Sequence, residues 1–229
     1  ASWKLGIKVD LNYVNTEDIE QQGVKLLKGS DAIIVPIGWG SRGVEGKILA
    51  IQYAREKKIP FLGLCYGMQL ACVEYARNVL GWKDANTEEV GKESKHMIIH
   101  SIPFNNKYQR IKGNGTSMRL GAFDCVIKPG TIIWETYDKY DQWKKNEKGL
   151  ISERHRHRFE FNNAYRKELE DAGLIISGTS PDDFFVETIE LPKKIHPFFI
   201  ATQAHPEYKS TPWKPHAMFM ALLKAAAKK

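Results

Sequence analysis

Two short, uninterrupted apolar runs, residues 32–36 and 60–64, constrain the fold of this chain more than any other feature of its sequence. A strand that is apolar at every position has to be covered on both faces, which is the habit of parallel strands in α/β proteins. The first run passes through a glycine-rich turn, Gly38-Trp39-Gly40-Ser41-Arg42-Gly43, into helical spacing over about 44–57. The second runs directly into Cys65, and helical periodicity resumes over 68–80. Ahead of both, residues 7–14 alternate apolar and polar like a strand. Residues 16–27 follow with helical spacing, capped by Asn15 or Thr16 and acidic in the first turn.

The second half reads differently. Strand signals recur at 97–102, 117–127, 151–161, 174–178, 184–191 and 198–203, with a helix near 165–172 and a closing helix over about 216–227. Residues 105–115 and 137–149 are polar and read as exposed loops. With no repeats and no clear linker, the expectation is a single α/β domain. Its largely parallel sheet, flanked by helices, would be continued by an antiparallel extension.

Composition excludes several classes. The chain has 229 residues, 42% of them hydrophobic, enough for a sizeable core, but no run of about 18 apolar residues that would span a membrane. The opening Ala-Ser-Trp-Lys-Leu-Gly lacks the pattern of a secretory leader, so a cytoplasmic location and no membrane partner are expected. Three cysteines without a CxxC pair imply neither a disulfide framework nor a metal site. The net charge of +7 comes from lysines scattered over helix faces and the C-terminus. No basic stripe interleaved with aromatics accompanies it, so it reads as a solvated surface and not as a nucleic-acid footprint.

The chemistry concentrates at Gly63-Leu64-Cys65-Tyr66-Gly67, set between a buried strand and a helix. That is the context of a nucleophile elbow with Cys in place of Ser. Glycines two residues either side let chain segments pass closely around a sharp turn. The helix start is expected to lower the pKa of the thiol, and the Tyr66 N–H to face a developing oxyanion. Cys72 and Cys125 have no such turn and read as buried packing residues. A thiol nucleophile needs a base, and the base needs an orienting group. His205-Pro206-Glu207 supplies both, since Pro206 keeps His205 extended and Glu207 can reach back to the imidazole. His196 precedes a proline too but has no carboxylate after it. His155 and His157 alternate with arginines and read as structural or substrate-contacting, whereas His96, His100 and His216 carry no supporting pattern.

Gly63 through Gln69 together with His205-Pro206-Glu207 resembles the signature of class I (triad) glutamine amidotransferases. Longer segments are similar to one branch of that family, the glutaminase domains of CTP synthases: Val35 through Lys47, Tyr75 through Asn86, Ser117 through Gly121, Glu153 through Glu160 and His205 through Pro212. The likeness runs from about Ile7 to the C-terminus. Arg154 through Arg158 and Arg77 through Gly81 are its most specific parts.

The resemblance implies a flavodoxin-like, mostly parallel sheet with an antiparallel extension. It implies Cys65 as nucleophile on the amide carbon of L-glutamine, His205 as acid and base, and Glu207 as its orienter. Gly38 and the Tyr66 amide would form the acyl and oxyanion site, in a substrate-binding segment that continues through Gly67 and Met68. Gln69, Glu89 and Arg158 would hold the amino-acid end of glutamine; a carboxylate for the ammonium and a guanidinium for the carboxylate make physical sense. No cofactor or metal is implied for this domain. The ammonia would pass to a synthetase (amidoligase) domain, in cis or in trans, that aminates UTP to CTP with ATP and Mg. GTP activation and homo-oligomerisation through that partner domain are further family traits.

Three departures qualify the likeness. Ile37 stands where the family has a glycine that helps shape the oxyanion site. Tyr66 replaces a leucine. The family's domain also begins with a strand and helix ahead of Ile7, so residues 1–229 read as a glutaminase domain lacking them. Ile37 motivates one alternative, a catalytically silent regulatory or interaction domain. A γ-glutamyl hydrolase or cysteine peptidase using the same triad is the other.

Overall fold

The computed structural model describes residues 1–102, 118–145 and 147–228. Seven strands form one sheet in the order β1-β2-β10-β9-β8-β5-β6: Ile33–Val35, Phe61–Leu64, Phe199–Thr202, Val186–Glu190, Ile175–Thr179, Arg119–Ile127 and Leu150–His157. A second sheet, β3-β4-β7, joins Asn86–Thr87, Met97–Ser101 and Phe159–Phe161. β1, β2 and β10 run parallel, with Phe61 opposite both Ile33 and Phe199. From β10 outward through β9, β8, β5 and β6 every pairing is antiparallel. The α/β class and the antiparallel extension are thus as expected.

The continuous apolar strands are explained by cover on both faces. Phe61 belongs to a core shared with α3 (Val44–Glu56) and α4 (Tyr66–Asn78). Its neighbours Leu62 and Leu64 point the other way, into a core with α5 (Ile132–Lys139) and α7 (Ala217–Ala226). Near the N-terminus lie α1 (Ser2–Leu5) and α2 (Thr16–Gln22), and α6 (Arg166–Asp171) precedes β8. Asn15 is the N-cap of α2, accepting from the Glu17 N–H at 3.1 Å. Gly23, at φ 79°, ends α2 and converts the rest of the predicted helix into a 3-10 turn, Val24–Leu27.

Four expectations are corrected. Residues 7–14 form no strand; Leu11 and Tyr13 are largely exposed, because alternation without a neighbouring strand to pair with does not make a ladder. The predicted strand 151–161 is two strands in different sheets, β6 and β7, parting at Arg158. The helix α5 was not expected, and it claims the first residues of the predicted loop 137–149. Its cap is Thr131, whose hydroxyl accepts from the Trp134 N–H, and Tyr137 is fully buried. The fourth, the acidity of Cys65, is taken up below. The predicted loop 105–115 and residue Ser117 lie outside the described residues.

Candidate active site

Cys65 ends β2 and caps α4 with φ 49° and ψ −100°, a conformation that L-residues avoid and that costs on the order of 1–3 kcal/mol. The surroundings hold it there. Its N–H donates to the Thr202 carbonyl at 2.7 Å, tying the elbow to the end of β10. A Cβ on Gly67 would run into the Val35 carbonyl oxygen. One on Gly63 would come within 2.9 Å of Ala201 and of the Gly67 backbone. Both glycines are therefore required by close approach of backbone, and the sulfur is delivered to the C-terminal end of the parallel strands, where open α/β sheets place their sites.

There a cavity of about 820 Å³ opens, walled by Gly38, Trp39, Cys65, Tyr66, Gln69, Glu89, Arg158, His205 and Tyr208 among others. Gly67 and Met68, expected in the substrate-binding segment, do not line it. Gly67 packs on β1, and Met68 is fully buried in the α3–α4 core. Ile37 forms part of the wall and is not among the residues at positive φ.

His205 reaches the cavity from the turn after β10, at φ −114° ahead of Pro206. Its Nδ1 lies 2.6 Å from Glu207 Oε1, and its ring stacks on Tyr208 at 5.0 Å between centroids. Because a carboxylate only accepts, Nδ1 carries the proton, and in the neutral ring Nε2 keeps the lone pair. Nε2 is buried and has no hydrogen-bond partner among the described residues. The His205 N–H donates to the Arg154 carbonyl at 2.8 Å, so β6 fixes the height of the turn.

Cys65 is not the acidic thiol expected at a helix start. Burial, with 5% of the residue exposed, pushes the thiol up to about 12; Glu207 and Glu89 push the same way, and hydrogen bonds from the Tyr66 N–H and the Gln203 side chain oppose them. Desolvation wins over the helix end. The resting sulfur is therefore protonated at neutral pH, and a nucleophilic role for it would require a base to take the proton.

The glycine-rich turn is clamped at Gly40: its N–H donates to Glu89 Oε1 at 2.9 Å, and its carbonyl accepts from the Tyr66 hydroxyl at 2.8 Å. Tyr66 thus fixes the loop with its phenol as well as lining the cavity. Gln69 is buried and donates to the Phe159 carbonyl. Arg158 is exposed at the crossover between β6 and β7.

The remaining cysteines and the rival histidine are packing residues. Cys72 and Cys125 are buried, and His196 is buried with Nε2 3.1 Å from the Ala54 carbonyl. His155 and His157 are buried as well, and His157 lines the cavity. Gln203, which carries no signal in the sequence beyond preceding His205 by two residues, has its side chain 3.5 Å from the sulfur. Among the described residues no group of three or more His, Cys, Asp or Glu could hold a metal ion, and no helix is long and apolar enough to cross a membrane.

A family model described as glutamine amidotransferase class-I matches residues 1–225. The chain is 50% identical over 219 residues to the CTP synthase of Prochlorococcus marinus (strain NATL1A) and 50% identical over 218 residues to that of Caldanaerobacter subterraneus subsp. tengcongensis (strain DSM 15242 / JCM 11007 / NBRC 100824 / MB4). Each match covers 95% of this chain but only 37% and 38% of those proteins, so the chain spans little more than a third of their length. The solved glutaminase domain of Trypanosoma brucei CTPS with bound acivicin is 39% identical. It superposes with a TM-score of 0.86, covering all of this chain and 84% of that one.

Proposed function

Because the chain belongs to the class I glutamine amidotransferase family, we propose that it hydrolyses L-glutamine to glutamate and ammonia at Cys65, with His205 as acid and base and Glu207 as its orienter. The observation that carries this reading is His205 itself. Its Nδ1 is held by a carboxylate, and its Nε2 is buried and unpartnered among the described residues in the cavity that Cys65 lines.

In this reading Nε2 takes the thiol proton as sulfur attacks the amide carbon, which solves the problem of a sulfur too buried to ionise alone. The oxyanion of the tetrahedral intermediate is met by the Tyr66 N–H and the peptide at Gly38. The imidazolium then gives its proton to the departing nitrogen, releasing ammonia and leaving a γ-glutamyl thioester. His205 next deprotonates a water that attacks the thioester carbonyl, and collapse returns glutamate and the thiol. Glu89 and Arg158, both lining the cavity, bind the α-ammonium and α-carboxylate, with Gln69 beside them in the lining.

The two CTP synthase relatives support a wider role, in which the ammonia aminates UTP to CTP in a synthetase region using ATP and Mg, in cis or in trans. GTP activation and oligomerisation through that region belong to the same proposal. A cytoplasmic setting, where thiols stay reduced, suits a reaction that needs Cys65 free.

The test is ammonia release from L-glutamine by the purified chain, alone and with a CTP synthase synthetase region added. Cys65→Ala is expected to bring turnover to background while leaving L-glutamine binding measurable by calorimetry. Turnover that survives this substitution would remove Cys65 from the mechanism.

A further inference from the structure

The thiol of Cys65 is held by a chain of amides whose polarity is fixed from its far end. The Phe159 carbonyl can only accept, so Gln69 has to turn its NH2 toward it, at 2.8 Å. The same nitrogen donates its second hydrogen to Gln203 Oε1 at 3.1 Å. With its oxygen committed to Gln69, Gln203 presents its own NH2 to the Cys65 sulfur, at 3.5 Å, an ordinary distance for an N–H to sulfur contact. Nothing in this chain can flip one amide without breaking two bonds. Gln203 is 1% exposed, and its backbone N–H donates to the Glu187 carbonyl at 2.8 Å, which ties this first residue past β10 to β9.

The chain extends beyond Phe159. The same carbonyl accepts from His157 Nδ1 at 2.9 Å, and His157 Nε2 lies 3.1 Å from His155 Nδ1. His155 Nε2 faces Glu187 Oε2 at 3.6 Å, and Glu187 is paired with Arg119 at 2.6 Å in the sheet interior. A hydrogen-bonded line thus runs from the Cys65 sulfur to His155, whose far nitrogen stands 3.6 Å from the buried ion pair without bonding to it.

We propose that Gln203 is a positioning residue for the nucleophile: its side-chain amide aims the Cys65 sulfur into the cavity and stabilises its anionic form. This rests on the reading of Cys65 as nucleophile but adds a residue that the triad does not contain. Two donors then meet the sulfur, the Tyr66 N–H at the helix start and the Gln203 NH2 just past β10. Both Cys65 and His205 line the same cavity, where the substrate would enter. During attack the proton passes from sulfur to His205 Nε2, and the Gln203 hydrogen stays on nitrogen throughout.

The test compares alkylation of Cys65 by iodoacetamide between pH 7 and 10 in the unaltered chain, Gln203→Met and Gln203→Glu. Met keeps the length and removes the donor; Glu keeps the shape and replaces the donor with a charge. The expected order of rates is unaltered, then Met, then Glu. The Met variant should be slower by roughly two- to fivefold at each pH, after allowing for the greater intrinsic nucleophilicity of a less acidic thiol. Buried Cys72 and Cys125 report folding, because they stay unlabelled in a folded chain. Equal rates in all three proteins, or a Glu variant faster than Met, would overturn the proposal.

A second measurement avoids altering Gln203. Cys65→Ala is expected to shift the side-chain amide resonances of Gln203 and, less, of Gln69, while leaving those of Asn78 in place. Unmoved Gln203 resonances would show that no such bond exists. Alkylation needs no glutamine, so a chain with these properties that releases no ammonia would refute the glutaminase reading and leave this one standing.

Discussion

At the scale of single residues, the site turns on which atoms are already committed. Glu207 spends Oε1 on His205 Nδ1, and that leaves Nε2 as the nitrogen free to accept a proton in the proposed mechanism. Glu207→Gln can offer an NH2 to the same nitrogen and would stabilise the wrong tautomer. A fall in kcat of roughly 10²–10⁴-fold with KM little changed is expected, read from steady-state ammonia release. This residue pair was legible in the sequence because two positions and a proline suffice to bring them together. Cys65 was legible for a similar reason, since glycine spacing and a buried strand are local signals. Its acidity was not: the helix start is visible in the sequence, but the burial that outweighs it is produced by residues distant along the chain. Gln203 was equally hidden, because its role depends on Gln69 and Phe159, which meet it only after folding.

At the scale of elements, the elbow is made by three backbones in contact. The first turn of α4 rests on β1 with no room for a side chain at Gly67. Gly67→Ala is expected to cost about 2–3 kcal/mol in urea unfolding, because the listening partner is a backbone carbonyl that cannot rotate away. Gly91→Ala, at a position with open space and no positive φ, serves as the control and should stay within about 0.5 kcal/mol. Elements with a long period or a continuous apolar run were read from sequence to within a few residues, as with α3 and β2. Those that failed lack one side of the signal. Residues 7–14 have the alternation but no strand beside them, whereas α5 has only eight residues, too few turns to display a period. The break between β6 and β7 is invisible in sequence because both strands keep the same alternation through Arg158.

At the scale of the whole molecule, the site is backed by titratable groups shut inside the fold. Burial pushes the Glu160 carboxyl up to about 8, against the pull of Arg119, and neither of its oxygens has a hydrogen-bond partner among the described residues. The fold therefore prefers this group protonated. Its contribution to stability is complete below the ordinary carboxylate value of 4.5 and is lost as pH rises through about 8. Glu160→Gln removes that dependence. Its stability relative to the unaltered chain should rise between pH 5 and 8.5, by at most about 1.4 kcal/mol for each unit crossed, as measured by urea midpoints at each pH. A gap that stays constant over that range would place Glu160 in water.

The clamp on Gly40 has a consequence for what the cavity can admit. One aromatic side chain joins the helix that follows the sulfur to the glycine-rich turn, and a carboxylate holds the same glycine through its N–H. Floor and lip are thereby tied together at one residue. For the gap beside the sulfur to widen at this point, two hydrogen bonds at one glycine have to break, so the clamp favours guests of one length.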